Sequence, residues 1–405
     1  MSKIKLGVIR EGKVPPDKRV PMTPEQCKLV QEKFPHVEVV VQTSPIRCFS
    51  DDLYREQGIQ IVDSLENCDI IMGVKEVNIS DLIPNKKFLF FSHTIKKQPY
   101  NRNLLRAILD KKIQLIDYET IKNKFNKRII GFGRYAGIVG AYNGILAYGK
   151  KMKTYNLMQA CECHDRVEME NELKKVVFPN NTKIVLTGFG RVGNGAREIM
   201  DLLPITEVSP EEFLTKSFDS PVFTHLEVED YYKRIDNTPF DKADFYANAH
   251  LYESNFRRFS EQADMYIACH YWSSKSPFIL TFDDLKSAKN RIKMVADISC
   301  DIAGPIACTL RPSKIGDAIY GFDPETQQEV SWDAENAIVV MAVDNLPCEL
   351  PKDASEDFGN ELLRNVFPPL FESDPDDVIG RASETNLKGE LTEHYAYLQD
   401  YVNGN

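Results

Sequence analysis

The chain has 405 residues, 42% hydrophobic and 27% charged, a balance that excludes a disordered chain, a fibre and a small disulfide scaffold and, at roughly 150 residues per domain, suggests two to three domains. Fifty Lys and Arg against 60 Asp and Glu give a formal net charge of −10, which repels phosphate backbones, so no nucleic-acid partner is expected. No apolar run approaches the ~18 residues of a membrane helix, the N-terminal stretch is too soon punctuated for a secretion signal, and nine scattered cysteines suit a reducing compartment; a cytoplasmic chain without a membrane partner is expected.

Residues 4–9 read as a first strand. Thr23, Pro24 and Glu25 supply an N-cap, a proline at the first helical position and first-turn acid, which predicts a helix to about Phe34. Strands follow at 37–42, 59–62, 70–74, 88–92 and 114–117, with helices at 53–58 and 101–111. Strands alternating with helices predict a mostly parallel sheet covered on both faces. A long helix is expected from about Gly137 to Met152, with Gly140, Ala141 and Gly144 giving one small face. Residues 159–181 read as a polar connector, and Cys161, Cys163 and His164 within it lack the further pair a structural zinc needs, so no metal is expected. A strand at 182–187 opens a second alternating region to about Val343; beyond it come one strong helix, 354–367, and a polar, turn-rich tail.

Gly188-Phe189-Gly190-Arg191-Val192-Gly193 follows the strand 183–187 and precedes a helix expected over 194–203. A strand, a tight turn and a helix N-terminus suit a pyrophosphate: the glycines clear its path, and free N–H groups with the helix dipole favour its charge. A second match, Gly131-Phe132-Gly133-Arg134-Tyr135-Ala136, has only a two-residue strand before it and reads as a hinge into the long helix. The acid that holds a ribose hydroxyl in such a motif has two candidates, Glu207 and Glu211, which leaves NAD or NADP open.

Lys75 and Glu76, then Ser92, His93 and Lys96, then Asp117 and Glu119 follow three successive strands. Ligands bind at the carboxyl ends of parallel strands, so these side chains are expected at one edge, with Arg19 and Arg128 joining from loops. Two arginines can clamp a dicarboxylate. Two glutamates can hold an ammonium group, and a lysine and a histidine can exchange protons if desolvation lowers the lysine. With a nicotinamide the set suits reductive amination. Asp301, four residues past Asp297 at another strand end, is expected on the nicotinamide side.

These stretches resemble saccharopine dehydrogenases of the lysine-forming type and the lysine–ketoglutarate reductase part of aminoadipic semialdehyde synthases. The resemblance rests on Arg19 to Pro24, Gly73 to Glu76, Phe90 to Lys96, Leu115 to Glu119, Phe132 to Gly137, Thr187 to Gly190, Asp297 to Asp301, Val343 to Pro347 and Leu350 to Glu356. It implies two Rossmann-like doubly wound α/β domains of the alanine dehydrogenase and transhydrogenase type with a cleft between them. Residues 1–135 plus 345–405 would bind substrate, and 136–344 would bind NAD(P). The implied reaction is saccharopine + NAD(P)⁺ + water ⇌ L-lysine + 2-oxoglutarate + NAD(P)H. By position, Lys75 and His93 match an acid–base pair, and Glu76 and Glu119 match acids near the lysine amine. Lys96 matches a supporting lysine, Arg19 and Arg128 match carboxylate binders, and Asp301 matches an aspartate by the nicotinamide.

The chain departs from its relatives at Ala268, where they carry asparagine, and at His270, where they carry a smaller or apolar residue; the insert 209–262 matches only the reductase branch. The saccharopine-oxidising enzyme that animals fuse to this part has no counterpart in these residues. A related amino-acid dehydrogenase with a different amine or keto acid, and a nucleotide-binding sensor without turnover, are the competing readings. The Lys75 and His93 pair argues against a sensor, which needs no proton relay.

Overall fold

The computed structural model describes residues 3–404. The chain divides into two compact units, one formed by Met1–Phe132 with Pro351–Asn405 and the other by Gly133–Leu350.

The first unit is built on a six-stranded sheet of β1 (Ile4–Val8), β2 (Val37–Gln42), β3 (Gln60–Val62), β4 (Ile70–Met72), β5 (Lys87–Phe90) and β6 (Gln114–Asp117). Their order is β3-β2-β1-β4-β5-β6 and every neighbouring pair is parallel. The order reverses between β1 and β4, which opens a crevice at the strands' carboxyl ends. Alternation along each strand feeds two cores. Leu6, Val8, Val39, Val41, Met72 and Leu89 face one side with α1 (Pro24–Lys33) and Phe358 and Leu362 of the C-terminal helix Pro351–Asn365. Val40, Ile71, Phe88, Phe90 and Leu115 face the other with Leu104 and Ile108 of α3 (Arg102–Asp110).

Local signals explain the helix ends. The Thr23 hydroxyl accepts from the Gln26 amide and the Gln26 side chain accepts from the Thr23 amide, a reciprocal cap that starts α1. The short α2 runs over Asp51–Glu56, two residues ahead of the expected span, because Ser50 caps it. The polar tail is more ordered than its composition suggests. It carries a short helix, Val378–Ala382, and Ser383 forms an antiparallel bridge to Ile116 of β6. The Glu384 amide donates to Leu115 O and the Leu115 amide donates to the Thr385 hydroxyl, so the tail seals an edge that would otherwise expose backbone.

The second unit holds β7 (Lys183–Thr187), β8 (Thr206–Glu207), β9 (Val222–Leu226), β10 (Tyr232–Arg234), β11 (Tyr252–Ser254), β12 (Met265–Ala268), β13 (Met294–Asp297), β14 (Ile319–Asp323), β15 (Gln328–Val330) and β16 (Ile338–Met341). The main sheet runs β15-β14-β16-β13-β12-β7-β9-β8, parallel except at β14 and β15; β10 and β11 form a separate antiparallel pair. The expected connector contains α5 (Arg166–Glu172), capped by Asp165, whose carboxylate accepts from the Glu168 amide. The long helix α4 (Gly133–Met152) starts four residues before Gly137. A Cβ at Gly144 would lie 2.8 Å from the side chains of Ala296 and Met265, so the small face of α4 lies directly on the sheet.

Closer still is the contact of α4 with α6 (Arg191–Met200), which begins three residues before the expected start and so takes Arg191, Val192 and Gly193 into its first turn. A Cβ on Gly137 would lie 1.9 Å from the Val192 carbonyl oxygen, and one on Gly195 would lie 2.0 Å from the Arg134 carbonyl oxygen. Both obstacles are backbone, which cannot rotate away. Gly137→Ala is therefore expected to destabilise the second unit by about 1–3 kcal/mol, the usual cost of overpacking, read as a lower urea midpoint at unchanged slope.

Candidate functional site

The loops after β1, β4, β5 and β6 bring their polar residues to one edge of the first unit's sheet. The crevice is flanked by Glu11 and Lys13 after β1, and by Lys75 and Glu76 after β4. Glu11 turns its carboxylate inward to accept the Val74 amide at 2.7 Å and the Lys75 amide at 3.0 Å, which fixes the backbone that presents Lys75. Burial pushes the Glu11 carboxyl up to about 7 against those two bonds. Burial, then the positive charges of Arg19 and Lys13, lowers Lys75 from its ordinary value.

The His93 Nδ1 lies 2.5 Å from Glu76 Oε1, and Lys13 Nζ lies 3.6 Å from Glu76 Oε2. Burial would raise Glu76, but the His93 hydrogen bond, a backbone bond and the nearby positive charge outweigh it and bring the carboxyl down to about 2. His93 and Lys13 thus share Glu76, the residue next to Lys75 in the chain. His93 itself has φ of 56°, left-handed backbone that a non-glycine residue adopts only when its surroundings impose it. Across the crevice Glu119 Oε1 receives Lys96 Nζ at 3.3 Å and an Arg128 nitrogen at 3.9 Å, while the Arg128 guanidinium lies over the Phe91 ring.

Arg19 stands apart from this group. It is 2% exposed, held by Asp17 through Nε at 3.0 Å and Nη2 at 2.6 Å, with its guanidinium over the Phe132 ring. Burial raises Asp17, but Arg19 more than compensates and holds it at about 2. Asp17, Glu11 and Lys13 escaped the sequence reading because they sit in a loop before α1, where acids and lysines look like solvated turn residues.

In the second unit β7 leads into the glycine turn beside its own order reversal, between β7 and β12. Gly188 has φ of 94°, and a Cβ there would lie 2.6 Å from the Cys269 carbonyl oxygen; one on Gly193 would lie 1.8 Å from the Gly188 carbonyl oxygen. A Cβ on Gly190 would meet open space. The turn is thus packed on its inner side at Gly188 and Gly193 and bare at Gly190, the residue that caps the N-terminus of α6. This is the cradle a dinucleotide pyrophosphate requires.

Neither Glu207 nor Glu211 lies at the end of the strand beside β7. Glu207 is on the edge strand β8 and is held by both Nη atoms of Arg197, and Glu211 is in the first turn of the helix Pro210–Thr215. The strand beside β7 is β9, and the acid that follows it is Glu227, with Lys242 Nζ 3.6 Å away. Glu227 lies 34 residues past Gly193, beyond the expected spacing of about 20, which hid it. His225 Nε2 donates to the Gly188 carbonyl oxygen, 2.6 Å away, and the ring stacks on Phe189 with ring centres 3.7 Å apart.

His270 is buried, with Nδ1 3.1 Å from the Thr187 hydroxyl, and burial alone lowers it to about 3. It is a neutral ring packed behind the turn. Asp297 is fully buried and accepts from the hydroxyls of Ser299 and Thr309 and the amide of Cys300. Asp301 is half-buried, raised by burial and then by Asp297, in a loop where Cys300 and Ala303 have φ of 51° and 52°. Among the described residues no group of three or more His, Cys, Asp or Glu could hold a metal ion, and no helix is long and apolar enough to cross a membrane.

Residues 7–139 match the family described as "Alanine dehydrogenase/PNT, N-terminal domain". The chain is 28% identical to the alpha-aminoadipic semialdehyde synthase of Arabidopsis thaliana, an alignment that covers 97% of this chain and 41% of that protein, so it spans less than half of that relative's length. It is 24% identical to the saccharopine dehydrogenase [NAD(+), L-lysine-forming] of Yarrowia lipolytica, covering 90% and 92%. Among solved structures it resembles an L-alanine dehydrogenase with a TM-score of 0.65 at 15% identity, over 98% of this chain and 99% of that one, a likeness of fold. By sequence the chain is similar to the saccharopine dehydrogenases and aminoadipic semialdehyde synthases, and its fold is like that of L-alanine dehydrogenase.

Proposed function

We propose that the chain is an NAD(P)-dependent oxidoreductase acting on CH–NH bonds, and specifically a lysine-forming saccharopine dehydrogenase that interconverts saccharopine with L-lysine and 2-oxoglutarate. The observation that carries this reading is the edge of the first unit's sheet. There, at the ends of three parallel strands beside an order reversal, Glu76 pairs with His93 and Lys13, Glu119 pairs with Lys96 and Arg128, and Lys75 has its proton affinity lowered by burial. The names of the relatives support the same chemistry.

In the reductive direction the ε-amine of lysine attacks the keto carbon of 2-oxoglutarate, the carbinolamine loses water, and the imine is reduced. A bound NAD(P)H supplies the hydride, and the residues proposed to hold it are Gly188, Gly190, Arg191, Val192 and Gly193, with Asp301 on the nicotinamide side. Lys75, lowered by burial and by neighbouring cations, takes a proton from the attacking amine. His93 carries a proton to the departing hydroxyl, and Glu76, ionised down to about pH 2, stabilises the imidazolium. Glu119 holds the substrate ammonium between Lys96 and Arg128, which are also placed to receive carboxylates. Arg19 supports this surface from beneath, adding positive potential while tied to Asp17. Glu227 offers an acceptor for a ribose hydroxyl and Lys242 a cation for a 2′-phosphate, so both coenzymes belong in the assay.

A second reading, a related amino-acid dehydrogenase with a different amine or keto acid, is favoured by Ala268 and the buried His270 behind the glycine turn.

NADH or NADPH is expected to be oxidised only when lysine and 2-oxoglutarate are both present; pyruvate with ammonia performing better would transfer the assignment to the second reading. Lys75→Met should lower kcat about 10²–10⁴-fold, the usual worth of general acid–base catalysis, in steady-state assays of the folded variant. Arg128→Ala should raise the KM for 2-oxoglutarate more than that for lysine; equal rises would remove its proposed role.

A further inference from the structure

Beneath the proposed site lies a second polar cluster that the chemistry above does not use. Ser92, Thr94, Asp117 and Glu384 are each 0% exposed. The Ser92 hydroxyl donates to Asp117 Oδ2. Its oxygen lies 2.6 Å from Thr94 Oγ1, which in turn lies 2.5 Å from Glu384 Oε2. Two hydroxyls thus bridge the Asp117 and Glu384 carboxyls, and Glu384 Oε1 has no hydrogen-bond partner. These three oxygen–oxygen contacts have only two hydroxyl protons, those of Ser92 and Thr94, to serve them. If both carboxyls were ionised, one contact would be bare oxygen against oxygen among fully buried groups, which is strongly unfavourable.

The chain of contacts is joined to the site at two places. His93 lies between Ser92 and Thr94, and its left-handed backbone is imposed by that anchoring on either side. Asp117 Oδ1 accepts the Glu119 amide at 2.6 Å, and Oδ2 accepts the Ser92 amide at 3.0 Å. We propose that Glu384 and Asp117 hold one proton between them in the native protein, so that Glu384, Thr94 and Ser92 donate in turn toward Asp117, and that this unbroken chain makes Glu384 a positioning residue for His93 and Glu119.

The groups that face this pair are acidic or phenolic. Glu119 and the coupled partner carboxyl lie to one side, with Tyr118 from the loop after β6 and Tyr395 and Tyr397 from the tail. The nearest cations, Lys96 and Arg128, are engaged with Glu119. Burial, and then the Asp117 charge, raises Glu384 well above the ordinary 4.5. The folded chain holds the proton more tightly than the unfolded chain does. Its contribution to stability is therefore complete below about pH 4.5 and is lost as pH rises toward the raised value.

The catalytic part of this inference rests on the proposed function; the proton itself can be observed without turnover. The infrared spectrum of the full chain at pH 7 is expected to show the carbonyl band of a buried protonated carboxylic acid, absent in Glu384→Gln. The thermal midpoint of wild type should fall more steeply between pH 5 and 9 than that of Glu384→Gln, because an amide can donate to Thr94 at every pH. Asp117→Asn serves as the second variant and should flatten the same slope. If turnover with lysine and 2-oxoglutarate is found, the alkaline fall in kcat should move upward in Glu384→Gln by about one pH unit, a tenfold change in proton affinity, with the KM for lysine little altered. No protonated band in wild type, or parallel slopes in wild type and Glu384→Gln, would overturn the shared proton whether or not the enzyme turns over. A normal band with an unmoved alkaline limb would overturn the positioning role alone.

Discussion

Charge taken out of water must be paired, and the first unit is organised around that requirement. Its sheet gathers Glu11, Asp17, Arg19, Lys75, Glu76, Asp117 and Glu384 where burial is deep, and most of them are answered by a definite group. Asp17 and Arg19 neutralise each other. Glu11 accepts two backbone amides, and Glu76 is held by His93 and Lys13. The cost of desolvation is offset only if those partners stay put, which makes the rigid strand ends a condition of the site and not just its scaffold. A reactive surface follows from the same arrangement: one carboxyl is driven up, another down, and a lysine toward release of its proton, by neighbours a few ångströms away.

The second unit meets a different constraint, that of backbone proximity. Gly137 of α4 meets Val192 of α6, while Gly195 of α6 meets Arg134 of α4, each so closely that neither helix can carry a side chain there. Gly193 in turn lets the first turn of α6 reach the Gly188 carbonyl. The helix N-terminus is thereby fixed against the strand that feeds it, so the anion cradle is rigid before any ligand arrives.

Much of this was legible in the residues themselves. The strand at Val37–Gln42, the one at Gln114–Asp117 and the cap at Thr23 have the expected bounds, because alternation and capping are local signals. The side chains at the strand ends could be read as a set because parallel strands all finish on one edge. What stayed hidden depends on distant partners. Ser383, Glu384 and Thr385 look like solvated turn residues until β6 is beside them. Glu227 could be found only once β9, and not β8, was known to neighbour β7. Helix ends shifted where a cap outweighed the apolar pattern, as at Ser50, or where a glycine turn passed directly into helix, as at Gly190.

The nested order of the chain bears on how it matures. The edge strand β6 is complete once residue 117 has been synthesised, yet the segment that covers it begins only at residue 383. During translation the N-terminal sheet must therefore wait, with one flank open, while the whole intervening unit emerges from the ribosome. Over that interval the nascent polypeptide offers an uncapped β-edge to other chains, and a ribosome that stalls late would release a protein whose N-terminal half is fully translated but still unsealed.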